Sequence, residues 1–128
     1  MNLLLDLHTF LWIESAPERL SEKALAACNE ESAKMLLSVA SVWEMVIKVH
    51  LGKLRLSRSI EEMIHRQQAE NGLRVLSIEL EHVLALRNLP FRHRDPFDRL
   101  LVAQASVEGC AIVSADRVLR DYPVEVIW

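Results

Sequence analysis

The sequence of 128 residues has few of the residue types that build several common functional sites. Its three glycines are too few for the glycine-rich loops that cradle phosphates, which excludes P-loop and Rossmann-type nucleotide binding. Its two cysteines, Cys28 and Cys110, lie far apart, so they form neither a CxxC redox pair nor a zinc knuckle, and we expect a reduced, cytoplasmic compartment. The five histidines show no HExxH spacing. If the chain binds a metal, we expect carboxylates to hold it.

Long uncharged apolar runs and an excess of basic charge are also absent. No uncharged stretch approaches the roughly 20 residues that a membrane span needs, and no basic start precedes the first apolar run, so we expect neither export nor membrane insertion. The 15 Lys and Arg against 18 Asp and Glu give a formal net charge of −3, which argues against a broad basic surface for nucleic acid. The composition, 51% hydrophobic and 26% charged, predicts one globular domain over residues 1–128.

Short continuous apolar runs alternate with longer helical patterns along the chain. The first run, residues 3–5, is continuous rather than alternating, which is typical of a central parallel strand buried on both faces. Similar runs occur at residues 35–37, 75–76, 111–113 and 124–127. This order predicts an α/β fold with a central, mostly parallel sheet.

Capping residues predict where helices begin. Side chains that can accept hydrogen bonds from first-turn N–H groups precede four helical patterns: Ser21 (to about residue 31), Ser41 (to about 51), Ser59 (to about 71) and Asp95. Pro96 suits the first position of the last of these helices. The three glycines follow helices, where a left-handed residue is needed. The most loop-like stretch is the basic segment at residues 89–94.

Two aspartates follow predicted strands at the point where each strand ends. Asp6 directly follows the first run, and Asp116 follows the run at residues 111–113. Because ligands of parallel sheets bind beyond the carboxyl ends of the strands, both residues are candidates for a functional site. Each could equally be an ordinary N-cap of the next helix.

Two further acids lie in predicted helices among apolar neighbours. Asp98 has apolar residues at i+3, i+4 and i+7, so its carboxylate heads a stripe that faces the core. Its ordinary role would be first-turn capping together with Asp95. Glu44 could form a capping box with Ser41 and an ion pair with Lys48, but its neighbours leave it little polar surface.

The four acids together indicate a metal site. At an effective dielectric of about 20, two carboxylates roughly 5 Å apart repel by about 3 kcal/mol, so four carboxylates at one sheet edge need a cation. Oxygen ligands select hard ions, which predicts Mg2+, with Mn2+ as a substitute. A water made acidic by such an ion can act as a nucleophile.

The segments that carry these acids resemble the PIN-domain family, in particular its bacterial VapC-type toxins. The resemblance lies in residues 3–8, 38–48, 93–105 and 114–116 and continues to the end of the chain. It implies a three-layer α/β/α sandwich and a Mg2+-dependent endoribonuclease, commonly a homodimer that a cognate antitoxin silences. The residues that match the family's acidic quartet are Asp6 and Asp98, as the most direct metal ligands, and Glu44 and Asp116, acting through water or a second ion. Leu7 stands where Thr is usual, and Ser114 where Thr is frequent.

On this hypothesis, a metal-activated water hydrolyses RNA, and nearby cations attract the substrate. The candidates for phosphate contacts are Lys48, Arg94, Arg99 and Arg117, although each could be a solvated surface charge. For Trp12 and Trp43, a core or interface position is favoured over base stacking. The apolar residues Ile60, Met63 and Ile64 could face a second copy or an antitoxin, although core packing is the default explanation.

Two other functions remain open from the sequence. One is a phosphatase with Asp6 as the nucleophile, which fits poorly because His8 stands where such enzymes usually carry a second Asp. The other is a PIN-like binding module without activity, against which all four acids argue. Removing these four from the 18 acids leaves 14 against 15 Lys and Arg, so we expect weak RNA binding when no metal neutralises the site.

Overall fold

The computed structural model describes residues 1–128 and contains five strands and six helices. In chain order they are β1 (Asn2–Leu5), α1 (Leu7–Ser15), α2 (Glu22–Asn29), β2 (Lys34–Ser38), α3 (Val39–His50), α4 (Ile60–Asn71), β3 (Arg74–Leu76), α5 (Leu80–Ala85), α6 (Pro96–Glu108), β4 (Ala111–Val113) and β5 (Val126–Ile127). Short 3-10 turns lie at Pro17–Arg19, Leu86–Asn88 and Arg117–Asp121. No helix is both long enough and apolar enough to cross a membrane.

The five strands form one sheet in the order β3-β2-β1-β4-β5, and every neighbouring pair is parallel. The prediction that residues 3–5 form a central strand is confirmed, since β1 lies between β2 and β4. The chain builds outward from β1 through β2 to β3 and then returns to the other side for β4 and β5. The order therefore reverses between β1 and β4, where open parallel sheets bind their ligands.

Two hydrophobic cores cover the two faces of the sheet. Successive side chains of a strand point to opposite faces, so Leu3 and Leu5 join one core and Leu4 joins the other. The first core also contains residues of α1, α2, α3 and α4, and the second contains residues of α6. The predicted α/β fold is therefore confirmed, with helices packed on both faces of an all-parallel sheet.

The predicted cap at Ser41 is wrong, because α3 begins three residues earlier. Its N-cap is Ser38, whose hydroxyl accepts a hydrogen bond from the Ala40 N–H at 3.0 Å. Strand β2 passes directly into α3, so the last strand residue also caps the helix. Ser41 lies buried inside the helix, and the proposed capping box with Glu44 does not form. The other three predicted caps are confirmed.

Other predictions need smaller corrections. Helix α2 ends at Asn29 rather than near residue 31, and the last strand contains only Val126–Ile127. Helix α5 was not predicted. Gly72 and Gly109 end α4 and α6 with φ of 66° and 69°, as expected for left-handed caps.

The apolar stripe of α4 packs in the core, whereas Trp43 of α3 is exposed. Met63 is buried in the first core, and the partly buried Ile60 and Ile64 pack against it, so core packing, the default explanation, accounts for this stripe. Trp43 is 57% exposed and packs edge-on against Phe97 at 5.1 Å, so it does not lie in the core.

Candidate active site

The four predicted acids meet in one cleft of about 180 Å³ at the carboxyl edge of the sheet. Asp6 follows β1 and Asp116 follows β4, the two strands between which the strand order reverses. Glu44 reaches the same cleft from α3 and Asp98 from the first turn of α6. Asp95, Lys48, Ala115 and three residues of α1 complete the lining. The sequence analysis thus predicted correctly that these acids converge.

Asp6 is buried and held by two donors. One of its carboxylate oxygens accepts a hydrogen bond from the Thr9 N–H at 2.9 Å, so Asp6 caps α1. Its other oxygen accepts a hydrogen bond from the hydroxyl of Ser114. Ser114 Oγ also accepts the Asp116 N–H at 3.0 Å, so one serine links the two aspartates at the strand ends. Capping and participation in the acidic site therefore coexist at Asp6.

Leu7, the departure from the family's usual Thr, is a buried core residue and supplies no hydroxyl. The buried hydroxyl of Thr9 donates instead to the Val113 carbonyl at 2.9 Å and fastens α1 to β4. Of Leu7, Thr9 and Ser114, only Ser114 therefore places a side-chain hydroxyl against an acid of the cleft.

Asp98 carries the strongest electrostatic perturbation in the cleft. The pKa of its carboxyl group is raised to about 7, first by burial and then by the nearby carboxylates of Asp95, Glu44 and Asp6. His93 acts in the opposite direction. A carboxylate that resists ionisation beside other acids is stabilised in its charged form by a bound cation.

Glu44 is buried and forms the predicted i,i+4 ion pair, with Lys48 Nζ 3.1 Å from its carboxylate. Lys48 also lines the cleft. This lysine is therefore a cation of the site, in contact with one of the acids, and is placed to meet an anionic substrate.

His93 is a site residue that the sequence analysis missed. Its Nε2 lies 2.8 Å from Asp116 Oδ2 and 3.1 Å from Asp98 Oδ2, so it bridges two of the four acids. Helical spacing reveals histidine ligands only within a helix, whereas His93 lies in the loop before α6. Its position beside Asp95, Pro96 and Asp98 in the sequence was the available signal.

The backbone determines which ring nitrogen of His93 carries hydrogen. Its Nδ1 accepts a hydrogen bond from the Asp95 N–H at 3.1 Å, so in the neutral ring the proton lies on Nε2. Nε2 is then a donor to the two carboxylates and has no free lone pair for a metal. Although His93, Asp98 and Asp116 place ligand atoms within 4.8 Å of one another, the carboxylates are the groups that fit a metal.

The donor set of the cleft fits a hard divalent cation. Five carboxylates, those of the four predicted acids and Asp95, line a space of about 180 Å³. Burial first and the neighbouring carboxylates second raise the pKa of Asp98, and a bound cation would oppose both effects. His8 of α1 also lines the cleft, but its ring belongs to neither of the two groups of His, Asp and Glu whose ligand atoms lie within 4.8 Å of one another. Carboxylate oxygens are the ligands that Mg2+ and Mn2+ prefer.

The remaining predicted phosphate contacts lie outside the cleft lining. Arg99 donates to the Pro90 carbonyl at 3.0 Å and lies against the ring of Phe91, so it braces the loop before α6. Arg94 and Arg117 are exposed. Among the four predicted cations, Lys48 alone lines the cleft.

A second cluster of histidine and carboxylates has a structural role. His82 is fully buried in α5, its Nδ1 accepts the Glu79 N–H at 2.9 Å, and its Nε2 lies 3.0 Å from Glu108 of α6. The same reasoning as for His93 places the proton on Nε2. The cluster therefore joins α5 to α6.

Comparison with solved structures agrees with this architecture. VapBC2 from Rickettsia felis, determined bound to a DNA fragment from their promoter, matches with a TM-score of 0.72 at 10% identity, covering 98% of this chain and 97% of that chain. FitAcB from Neisseria gonorrhoeae matches with a TM-score of 0.60 at 18% identity, covering 97% and 95%. At such identities the likeness shows the fold. No curated protein matches the chain.

The comparison with family models is more specific. The model described as PIN domain matches residues 3–125, from β1 to the residue before β5. The matched range contains all four acids of the cleft. Because the match spans nearly the whole chain, the protein belongs to the PIN-domain family.

Proposed function

We propose that the protein is a Mg2+-dependent endoribonuclease, the toxin of a toxin–antitoxin pair, and that Mn2+ can replace Mg2+. The observation that carries the proposal is the convergence of Asp6, Glu44, Asp98 and Asp116 in one cleft, with the pKa of Asp98 raised to about 7. Family membership supports nuclease activity, because PIN domains are generally nucleases.

In this proposal Asp6 and Asp98 are the most direct metal ligands, and Glu44 and Asp116 complete the site through water or a second ion. When bound, the metal supplies an acidified water and offsets negative charge on the phosphodiester. Ser114 and the Thr9 N–H hold the oxygens of Asp6 in place, and His93 holds those of Asp98 and Asp116. No covalent bond to the protein is required.

Lys48 is the residue of the cleft that can contact the phosphate directly. Its ammonium group is paired with Glu44, so it is positioned rather than free to rotate. We propose that Lys48 offsets the negative charge of the RNA backbone, which the carboxylates of the cleft alone would repel.

The test is cleavage of a mixed RNA substrate by purified protein in Mg2+. Asp98→Asn keeps the size of the side chain and removes the charge, so we expect cleavage to fall by about 100-fold or more. Asp6→Asn should behave alike. Calorimetric titration with Mn2+ provides a second readout, because both variants should bind the ion more weakly.

Asp121→Asn is the matched control, since Asp121 is an exposed aspartate in the 3-10 turn after Asp116 and does not line the cleft. It should cleave like the parent protein. Undiminished cleavage by Asp98→Asn and Asp6→Asn, with folding confirmed by circular dichroism, would refute the assignment of the site.

A cognate antitoxin and a homodimer belong to the same proposal. The structural neighbours are toxin–antitoxin complexes, which supports an antitoxin partner for this chain. Exposed apolar side chains support protein contacts as well. Helix α4 carries none of them, whereas α3 and α5 carry several: Val39, Trp43, Val46, Leu80, Val83 and Leu84. We propose that this system acts in the cytoplasm.

A further inference from the structure

The last turn of α3 and the loop that follows it carry a concentration of basic residues without any acid. Between Glu44 and Glu61 the chain contains no Asp or Glu, whereas it contains four Lys and Arg: Lys48, Lys53, Arg55 and Arg58. We refer to residues 48–58 as the basic segment. The overall charge of −3 conceals this local excess of positive charge.

The basic segment is anchored with its cations facing outward. The N–H groups of Lys53 and Leu54 donate to the Lys48 carbonyl at 2.9 and 3.2 Å, which folds the chain back against the last turn of α3. Leu54 and Leu56 pack against the first core, while the alternating residues Lys53 and Arg55 are exposed. The cations are thus presented from a fixed backbone.

These outward cations have no carboxylate partner. Lys53, Arg55 and Arg58 form no ion pair, in contrast to Lys48 and Arg66, which pair with Glu44 and Glu14. Glu61 and Glu62, which share a surface cleft with Arg58, do not pair with it either. Unpaired, anchored cations are available for phosphate groups at little cost in lost ion pairs.

The basic segment is continuous with the acidic cleft. Lys48 lines that cleft at one end, and Arg55 and Arg58 line a second cleft of about 340 Å³ at the other. Helix α1 forms a wall of both clefts, and its nine residues span about 14 Å. Glu14, the carboxylate in the second cleft, is already bonded to Arg66 and Gln67.

From these observations we infer that the basic segment binds the phosphate backbone of single-stranded RNA on one side of the bond to be cut. The inference rests on the proposed ribonuclease function and adds a path for the substrate. The strand leaves the acidic cleft beside Lys48 and follows α1 to Arg55 and Arg58, a few nucleotides away. Contacts to phosphates position the strand without reading its sequence.

The test compares two triple variants that each remove three positive charges. Lys53→Gln/Arg55→Gln/Arg58→Gln neutralises the basic segment. Lys23→Gln/Lys34→Gln/Arg74→Gln is the matched control, because Lys34 and Arg74 begin strands at the opposite edge of the sheet and Lys23 is exposed in α2. Both are made in the Asp98→Asn background, so that RNA is not consumed.

Binding of a fluorescent single-stranded RNA is followed by anisotropy in Mg2+ over a range of salt concentrations. We expect the first variant to weaken binding by about tenfold or more, and its slope of log K against log salt to fall in magnitude by about 2. The control variant should change neither quantity to this extent. The single changes Arg55→Gln and Arg58→Gln should each give part of the effect.

Equal affinities of the two triple variants for RNA would overturn the inference. It would also be overturned if the basic segment bound an acidic protein and did not bind RNA. With Asp98 intact, the first variant should raise KM for long RNA and leave kcat unchanged. Failure of the parent protein to cleave RNA would overturn the proposed function alone, because the binding comparison does not depend on cleavage.

Discussion

At the scale of single residues, Asp98 contributes a pH dependence to the stability of the metal-free protein. Its pKa is about 7 in the folded protein and about 3.8 in an ordinary environment. Between about pH 4 and 7 the folded protein therefore holds a proton that the unfolded chain has lost. The contribution of Asp98 to the free energy of unfolding is therefore greatest below this pH window, and it decreases as the pH rises through the window.

Asp98→Asn should remove this dependence. In EDTA at about pH 8 we expect the variant to be more stable than the parent by about 1–2 kcal/mol, an amount reduced by water that screens the partly exposed carboxylate. At about pH 4 the difference should vanish. Urea unfolding at the two pH values measures it, with Asp121→Asn as a control that follows the parent. A variant with the parent's full pH dependence would contradict the account of Asp98.

His93 should act as a donor between two acids. In His93→Ala, Asp98 and Asp116 lose the group that bridges them, so we expect a loss of about 1–2 kcal/mol in EDTA, much of which Mg2+ should restore. His93→Gln places an amide N–H near the position of Nε2 and should be closer to the parent. Urea unfolding with and without Mg2+ distinguishes the variants.

Electron spin echo spectroscopy of bound Mn2+ tests the same residue independently. With the proton on Nε2, His93 should contribute no directly coordinated nitrogen. A histidine nitrogen coupling in the parent that disappears in His93→Gln would show instead that His93 is a ligand.

The sequence allowed the four acids to be located but not His93. Strand ends and first helical turns can be recognised from local patterns, and these patterns place Asp6, Asp98 and Asp116 at one edge of a parallel sheet. His93 reaches the acids only because its loop contacts Tyr122, 29 residues further along the chain. No local pattern encodes a contact over that separation.

At the scale of structural elements, the loop before α6 depends on one hydroxyl group. Tyr122 Oη accepts hydrogen bonds from the N–H groups of Arg92 and His93 at 3.1 and 2.8 Å, and Arg99 Nη1 donates to it at 3.2 Å. Tyr122 itself is buried in the second core. The position of His93 over the acids is therefore fixed from the far end of the chain.

Tyr122→Phe should loosen this loop while preserving the core packing of the ring. Two backbone N–H groups lose their acceptor, so we expect a loss of about 1–3 kcal/mol in the free energy of unfolding. Hydrogen exchange of the Arg92 and His93 amides should accelerate more than exchange in β1. Unchanged exchange of these two amides would show that the loop is held by other contacts.

Helices were predicted well where a loop precedes them and poorly where none does. Ser21, Ser59 and Asp95 were assigned correctly as caps, because each separates a helix from an irregular segment. Ser38 and Ser41 are three residues apart, and the pattern alone does not decide between them when a strand continues directly into a helix. Helix α5 has six residues and depends on packing of His82 against α6, which its own sequence does not reveal.

At the scale of the whole molecule, the parallel sheet followed from the alternation of strands and helices, but the strand order did not. The return of the chain from β3 to β4 on the other side of β1 depends on long-range packing of α5 and α6. That return brings Asp116 beside Asp6. The composition likewise concealed the charge distribution, since the negative net charge includes an acidic cleft and a basic segment beside it.

This separation of charge predicts that neutralising the cleft strengthens RNA binding when no metal is present. Asp6→Asn/Asp98→Asn changes the formal net charge from −3 to −1 and, at about pH 8 where Asp98 is ionised, removes carboxylates from the surface that the RNA must approach. We expect its affinity for a single-stranded RNA in EDTA at low salt to exceed that of the parent by about five- to tenfold, equivalent to about 1 kcal/mol of reduced repulsion. Fluorescence anisotropy provides the measurement.

The matched control for this prediction is Glu22→Gln/Glu30→Gln, which removes two exposed carboxylates at α2, outside the acidic cleft. If net charge alone governed binding, both double variants would gain affinity equally. If the acidic cleft lies on the RNA path, the Asp6 and Asp98 variant gains much more, and the difference shrinks as salt screens the repulsion. An equal gain in both variants at low salt and again at physiological salt would place the RNA away from the cleft, because at the higher salt only carboxylates close to the phosphates repel them.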